Sequence, residues 1–143
     1  MEENKQNIQF NIINIKTEQF ALFDENHFDK GKINLETSLS YGLNSEEKDF
    51  LVSIKSTFLM KKKPFMTIQV NCNFEIDPQS FESFTTDNEI IIPKAFIAHM
   101  AMIAVGTTRG VLHSKTEGTD FNKYILPTIN VAAMVAEDAI FDF

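Results

Sequence analysis

The fold is decided by residues 90–143, whose sequence is IIIPKAFIAHMAMIAVGTTRGVLHSKTEGTDFNKYILPTINVAAMVAEDAIFDF. Residues 95–112 carry apolar side chains on two adjacent helical faces, so we predict a long helix there. A polar loop follows over residues 114–124, and Thr128 or Asn130 can then cap a last helix. The apolar side chains of that last helix would be Val131, Met134, Val135 and Ile140.

Four segments before this stretch alternate apolar and polar residues, the pattern of β-strands with one buried face. They cover residues 8–22, 33–43, 50–60 and 66–76. In the first segment the adjacent Ile12 and Ile13 interrupt the alternation, which predicts a β-bulge. Short connections favour an antiparallel meander whose apolar face needs cover. We therefore predict an α+β fold in one domain over residues 1–143: a four-stranded antiparallel sheet covered by a long helix and a C-terminal helix.

Composition argues against several classes of function. The formal net charge of −7 disfavours nucleic acid and anionic membranes as partners, since both need a basic surface. Cys72 is the only cysteine, so no disulfide is expected and a reducing compartment is favoured. The polar start of the sequence lacks a signal-peptide pattern. The apolar stretch over residues 90–105 is interrupted and shorter than a membrane span. We expect a cytoplasmic protein without membrane insertion.

The one basic run is Lys61-Lys62-Lys63, which precedes Pro64 between the third and fourth strands. We interpret it as a solvated hairpin turn whose charges also blunt a sheet edge. A phosphate site is the weaker alternative, because the run is short and stands alone.

The sequence gives little support for enzyme chemistry. His27 lies in an acidic loop at residues 24–29, and we interpret this loop as solvated because its spacing matches no metal-ligand template. His99 and His113 lie on the predicted long helix, and none of the three histidines has a serine or cysteine partner at catalytic spacing. No glycine-rich phosphate loop is present. We expect no enzyme activity, no metal and no cofactor.

The predicted long helix is too apolar for a helix that lies on one sheet with its back in water. Gly106 and Gly110 add a small-xxx-small spacing that permits close approach of another helix. We therefore predict a homo-oligomer whose interface includes part of this helix. The predicted interface residues are Phe96, Met100, Ile103, Gly106 and Gly110.

The order of these elements, together with two short motifs, resembles the SecB family of protein-export chaperones. Arg109-Gly110 resembles the Arg-Gly at the end of the family's long helix. Residues 126–131, LPTINV, resemble the family's apolar-Pro-x-apolar-Asn entry into its last helix. The resemblance implies an ATP-independent holdase, a tetramer built as a dimer of dimers. Such proteins bind unfolded preproteins in apolar grooves and deliver them to the SecA motor ATPase.

The resemblance also implies a groove formed by the second strand, the crossover loop and the last helix. The peptide-binding residues it suggests are Phe121, Tyr124, Ile125, Leu126, Met134 and Val135. The family uses acidic residues on its sheet to engage the motor, whereas an approximate pairing puts Gln19, Phe23 and Thr67 there. The charged loop before Leu126 is also longer than in typical members. Two alternatives stay open: a dedicated chaperone of a toxin–antitoxin pair, and a small-molecule or lipid-binding protein that uses the same apolar surface.

Overall fold

The computed structural model describes residues 10–142, which form a four-stranded antiparallel sheet with a long helix against one face. The sheet strands are β1 (Phe10–Leu22), β2 (Ile33–Asn44), β3 (Asp49–Met60) and β4 (Lys63–Ile76). The elements that follow are α1 (Pro78–Ser83), β5 (Glu89–Ile92), α2 (Lys94–Lys115), α3 (Val131–Met134) and β6 (Ala139–Asp142). The predicted α+β fold class is confirmed.

The strand order in the sheet is β1-β4-β3-β2. Strands β2, β3 and β4 form the predicted meander, but β1 pairs with β4, so the prediction of a sequential meander is wrong for β1. The cause is the connection over residues 23–32, which crosses the end of β4. There the Phe23 N–H donates to the Phe65 carbonyl at 2.8 Å, and the Asn26 amide donates to the Pro64 carbonyl at 2.7 Å. Strands β1 and β2 are consequently the two sheet edges.

The alternating pattern of the strands sets which face is buried. The core-facing side chains of β3 and β4 are almost completely inaccessible, and seven of them are Phe50, Val52, Ile54, Met66, Ile68, Val70 and Phe74. The pairing of β1 with β4 shifts register between Ile12 and Asn14, which confirms the predicted bulge. A second shift lies between Thr17 and Gln19. The predicted start of β1 before residue 10 lies outside the described residues.

Helix α2 covers β3 and β4 in the middle of the sheet. It begins after Pro93 and continues to Lys115, one turn beyond the predicted end. The Thr116 hydroxyl donates to the Leu112 carbonyl at 2.9 Å and satisfies a carbonyl at this end. The buried side chains of α2 are Phe96, Ile97, Met100, Ala101, Ala104, Val105, Thr108 and Leu112. Helix α2 is long and apolar enough to cross a membrane, but this criterion uses only length and composition. The core helix of a soluble protein also meets it.

The C-terminal helix is present but short. Helix α3 is a single turn, capped by the Asn130 side chain, which accepts the Ala133 N–H at 3.3 Å. The prediction that the helix extends to Ile140 is wrong, because Ile140 lies on β6 and pairs with Ile91 of β5. Between them the Asp138 carboxylate accepts the Lys94 N–H at 2.8 Å, which satisfies an orphan donor at the start of α2. That contact holds the segment after α3 away from a helical path.

Candidate functional site

We call residues 116–130 the crossover segment, since they connect α2 to α3 across the molecule. Its end is attached to α2 by Arg109, whose Nε–H donates to the Leu126 carbonyl at 2.6 Å. The Nη2 of Arg109 donates to the Pro127 carbonyl at 2.9 Å, and the Leu126 side chain is buried. A guanidinium bonded to two successive carbonyls fixes both position and direction of the chain. The Arg-Gly and Leu-Pro motifs are therefore in direct contact.

An aromatic cluster joins the middle of the crossover segment to the sheet and to the β1–β2 connection. We define this cluster as His27, Phe58, Phe65, Phe121 and Tyr124. The ring centroids of Phe65 lie 5.1 Å from Tyr124 and 6.1 Å from Phe121, and those of His27 and Phe121 are 4.8 Å apart. The His27 Nε2 lies 2.5 Å from the Tyr124 hydroxyl oxygen. The acidic residues of this loop are exposed, as predicted, but the His27 imidazole is half-buried and contacts the crossover segment.

The six residues predicted to bind peptide differ in accessibility. Phe121, Leu126 and Val135 are buried in the hydrophobic core of their own chain. Tyr124 and Met134 are half-buried. Ile125 is 56% exposed and is the one large apolar side chain of the six that faces solvent freely. The structure brings Phe121 and Tyr124 together in the aromatic cluster.

A long apolar strip lies along the core-facing side of the edge strand β2, and we call it the β2 stripe. Its members are Ile33, Leu35, Leu39, Tyr41 and Leu43. The three leucines are half-buried, while Ile33 and Tyr41 each retain 38% of their accessible surface. Helix α2 packs on β3 and β4, which leaves this strip only partly covered.

Aromatic rings mark the two ends of the β2 stripe. At one end Leu35 pairs with Phe58, whose ring lies 6.4 Å from that of Tyr124. At the other end Tyr41 stacks on Phe50 at 5.6 Å, and Phe141 of β6 meets Phe50 edge-on at 6.2 Å. The stripe thus lies between the crossover segment and the C-terminal strand. The Phe58 ring thus connects the β2 stripe to Tyr124 of the crossover segment. The peptide-binding groove that the resemblance implies stays a prediction.

A second apolar surface involves α2 and β1. Of the predicted interface residues, Phe96 and Met100 are buried in the core of their own chain, and Ile103 is half-buried. Gly106 and Gly110 are exposed, and a methyl group added at either would meet none of the described residues within 4 Å. The surface continues onto residues that the sequence reasoning treated as core or did not single out. These are Ile12 and Ile15 on β1, with 40% and 50% exposure, and Met102 on α2, with 61%.

Two kinds of titratable group bear on the chemistry of the described residues: possible metal ligands and the Cys72 thiol. Within residues 10–142, no group of three or more His, Cys, Asp or Glu side chains is placed to hold a metal ion. Burial raises the pKa of the Cys72 thiol, and a hydrogen bond with Thr107 opposes the rise. A thiol held in its neutral form is a poor nucleophile.

Comparison with known proteins identifies the fold. No protein-family model and no curated protein matches the sequence. Among solved structures, the chain is similar to the Mycobacterium tuberculosis SecB-like chaperone Rv1957 in complex with a ChAD peptide from the Rv1956 HigA1 antitoxin. The TM-score is 0.54 at 14% identity, over 85% of this chain and 86% of that one. A Streptococcus agalactiae protein of unknown function aligns over 86% of this chain and 98% of its own, at 12% identity and a TM-score of 0.37. The chain has a SecB-like fold.

Proposed function

We propose that this protein is an ATP-independent holdase that binds unfolded or extended polypeptides along the β2 stripe. The observation that carries the proposal is the half-exposed apolar face of an edge strand, flanked by the crossover segment. Apolar side chains of a client would be removed from water there, at roughly 25 cal/mol per Å² of apolar area buried.

The edge position of β2 adds a second source of affinity. One side of its backbone has no neighbouring strand within the four-stranded sheet. An extended client can add to such an edge through main-chain hydrogen bonds, which are independent of client sequence. Side chains of the client would then alternate between the β2 stripe and solvent. This geometry suits a protein that must accept many different segments.

The similar SecB-like fold supports a polypeptide ligand, since the M. tuberculosis protein was determined with a bound antitoxin peptide. Two client classes follow: preproteins for Sec-dependent export, and a single antitoxin-type partner. A contact with the SecA motor has weaker support, because Gln19 and Thr67 on the outer sheet face carry no charge. A docking site steered by carboxylates loses attraction when they are absent. A pull-down from the native cytoplasm separates the classes: preproteins with the motor support export, and one small partner supports the dedicated chaperone.

We further propose that the protein forms a homotetramer, a dimer of dimers, through the exposed face of α2 and the core-facing side of β1. Met102, Gly106 and Gly110 lie on that helix face, and Ile12 and Ile15 lie on β1 beside it. The Phe10 ring contacts the His99 ring at 5.3 Å, so the two elements form one continuous surface. Glycine in a helix costs about 0.5–1 kcal/mol relative to alanine, and nothing among residues 10–142 requires it at either position. A close helix from another copy explains both.

The rival function is binding of a small molecule or lipid. Two hollows in the described part of the chain are open, and charged or amide side chains contribute to the lining of both. One, of about 600 Å³, is bordered by Asp24, His27, Asp29, Asp120, Phe121 and Lys123. The other, of about 320 Å³, is bordered by Gly42, Leu43, Asn44, Asp49, Leu51 and Asn73. Neither resembles the enclosed apolar pocket that such ligands need.

The test is suppression of aggregation. A chemically denatured client is diluted into buffer with and without the protein, in the absence of nucleotide, and light scattering is followed. We expect suppression at a near-stoichiometric ratio. A protein that leaves aggregation unchanged but binds a fatty acid saturably would have the rival function instead.

A further inference from the structure

The hairpin between β3 and β4 places lysine where the backbone disfavours it. Lys61 has φ 51° and Lys62 has φ 66°, so both residues are in the left-handed region. Two-residue hairpins with this conformation favour Asn-Gly, because a Cβ atom is strained there. Local backbone strain of this kind is often found at functional sites.

The three lysines are exposed at the hairpin between β3 and β4, which confirms the predicted solvated turn, but the position of the turn excludes the second role expected for their charges. Lysines on an edge strand prevent unwanted pairing between sheets. Strands β3 and β4 are, however, the two central strands of the sheet, so the expectation that Lys61–Lys63 blunt an edge is wrong.

The β1–β2 connection brings two more lysines to the same end of the sheet. The Phe28 N–H donates to the Met60 sulfur at 3.3 Å, and a Cβ on Gly31 would lie 3.4 Å from that sulfur. Gly31 is flanked by Lys30 and Lys32. Five of the thirteen Lys and Arg residues of the chain therefore gather here. We call them the lysine patch: Lys30, Lys32, Lys61, Lys62 and Lys63.

The lysine patch is free to bind a partner. All five side chains are exposed, and within residues 10–142 none of them lies in a salt bridge. The Lys61 ammonium stands 4.7 Å from the ring centroid of Phe28, which is itself 41% exposed. The carboxylates of Asp24 and Asp29 border the hollow beside the crossover segment, which Lys123 also lines. Unpaired cations next to an exposed aromatic ring form a mixed polar and apolar surface.

The net charge of the chain selects the kind of partner. Nucleic acids and anionic membranes are large, so they also meet the acidic remainder of a protein with net charge −7. A short acidic segment can stay within about 8 Å of the lysines, the range over which charges interact at physiological salt. We propose that the lysine patch binds an acidic polypeptide segment that carries an aromatic or large aliphatic side chain for Phe28. This site lies outside the crossover segment and does not depend on holdase activity.

The test uses a labelled peptide with one Phe between runs of Glu, and binding is followed by fluorescence anisotropy at low and at physiological salt. The double variant Lys61→Asn with Lys62→Gly removes two charges and introduces the preferred turn residues. We expect it to bind about tenfold more weakly while unfolding at a higher temperature than the wild type. The matched control is Lys55→Gln with Lys94→Gln, which removes two exposed charges elsewhere. It should bind the peptide nearly as well as wild type.

Several results would overturn the proposal. They are absence of binding by the wild type, equal binding of a peptide with Lys in place of Glu, and equal loss in the patch and control variants. Vesicles rich in phosphatidylserine serve as a comparison, and preferential binding of these vesicles over the peptide would assign the patch to membranes instead. If the double variant Lys61→Asn with Lys62→Gly melts at a higher temperature but binds the acidic peptide as well as the wild type, the lysines have no role in recognition.

Discussion

The Arg109 guanidinium on α2 donates its Nε–H to the Leu126 carbonyl across the crossover segment at 2.6 Å. These residues belong to the two short motifs that carry the resemblance to SecB. They are seventeen positions apart in the sequence but in direct contact in the structure. Arg109 thereby sets where the crossover segment ends and where α3 begins. The crossover segment in turn borders the β2 stripe.

Replacement of Arg109 with Met should loosen the crossover segment. The variant loses hydrogen bonds to two carbonyls while keeping a side chain of similar length, and we expect a loss of about 2 kcal/mol in the free energy of unfolding. Amide hydrogen exchange should accelerate over residues 116–130 and stay unchanged in β3 and β4. The matched control is Lys115→Met, an exposed position on the same helix. Equal exchange in the two variants would mean that Arg109 does not hold the segment.

Local patterns in the sequence are enough to predict the four strands of the large sheet and the long helix. Each depends on periodicity within one segment, as in β4, where apolar residues alternate from Met66 to Ile76. The strand order depends instead on the path of residues 23–32, which is held by nonlocal bonds such as that from Asn26 to the Pro64 carbonyl. Such bonds leave no periodic signal, so β1 was placed incorrectly.

The difference between local patterns and nonlocal contacts also explains which features of the candidate site could be predicted. The crossover residues could be named from the motifs, but their burial could not, because Phe121 is covered by His27 from a connection 94 positions earlier. On α2 the apolar arc was recognised, yet periodicity did not reveal which part of a wide arc faces the sheet. Phe96 and Met100 proved internal, and Met102 proved external. The small strands β5 and β6 were missed since each has four residues.

Truncation of Phe121 should destabilise the protein strongly. Its ring is buried in the aromatic cluster, so Phe121→Ala leaves a cavity and should lower the free energy of unfolding by about 3–5 kcal/mol. Tyr124→Phe is a milder change at the same cluster, since it removes only the hydroxyl next to His27. We expect it to cost about 1 kcal/mol. Urea unfolding measures both values, and equal losses would contradict this description of the cluster.

Ile125 should matter for client binding. Ile125→Ser removes apolar surface from the exposed part of the crossover segment, and we expect weaker suppression of client aggregation with unchanged stability. Ile140→Ser is the matched control, because Ile140 on β6 has 59% exposure against 56% for Ile125. We expect the apparent client affinity of Ile125→Ser to be about three- to tenfold lower than that of Ile140→Ser, because one partly buried aliphatic group is lost from the interface. Equal activity of both variants would remove Ile125 from the binding surface.

Stability should fall at alkaline pH because of Cys72. Burial raises the pKa of this thiol above its unfolded value, so the unfolded state releases its proton first as the pH rises. The contribution of the neutral thiol is complete below about pH 8.5 and is lost progressively above it. Cys72→Ala should unfold more easily at neutral pH but show a flatter dependence on pH between about 8 and 10. An unchanged slope would assign the alkaline loss to other groups.

Substitution of Gly106 by a larger residue should disrupt assembly and leave the fold of the single chain unchanged. A Cβ added at this position meets none of the described residues within 4 Å, whereas a helix from another copy would be displaced by a larger side chain. We expect light scattering to show a tetramer for the wild type and smaller species for Gly106→Leu, with the same circular dichroism spectrum. Ser114→Leu is the control, since it introduces the same side chain at an exposed position near the end of α2.

Gly106→Ala separates the two explanations for the glycine. On a free helix surface it should stabilise the protein by about 0.5–1 kcal/mol, whereas at a tight helix contact it should weaken assembly. A wild type that stays monomeric at micromolar concentration would contradict the proposed interface.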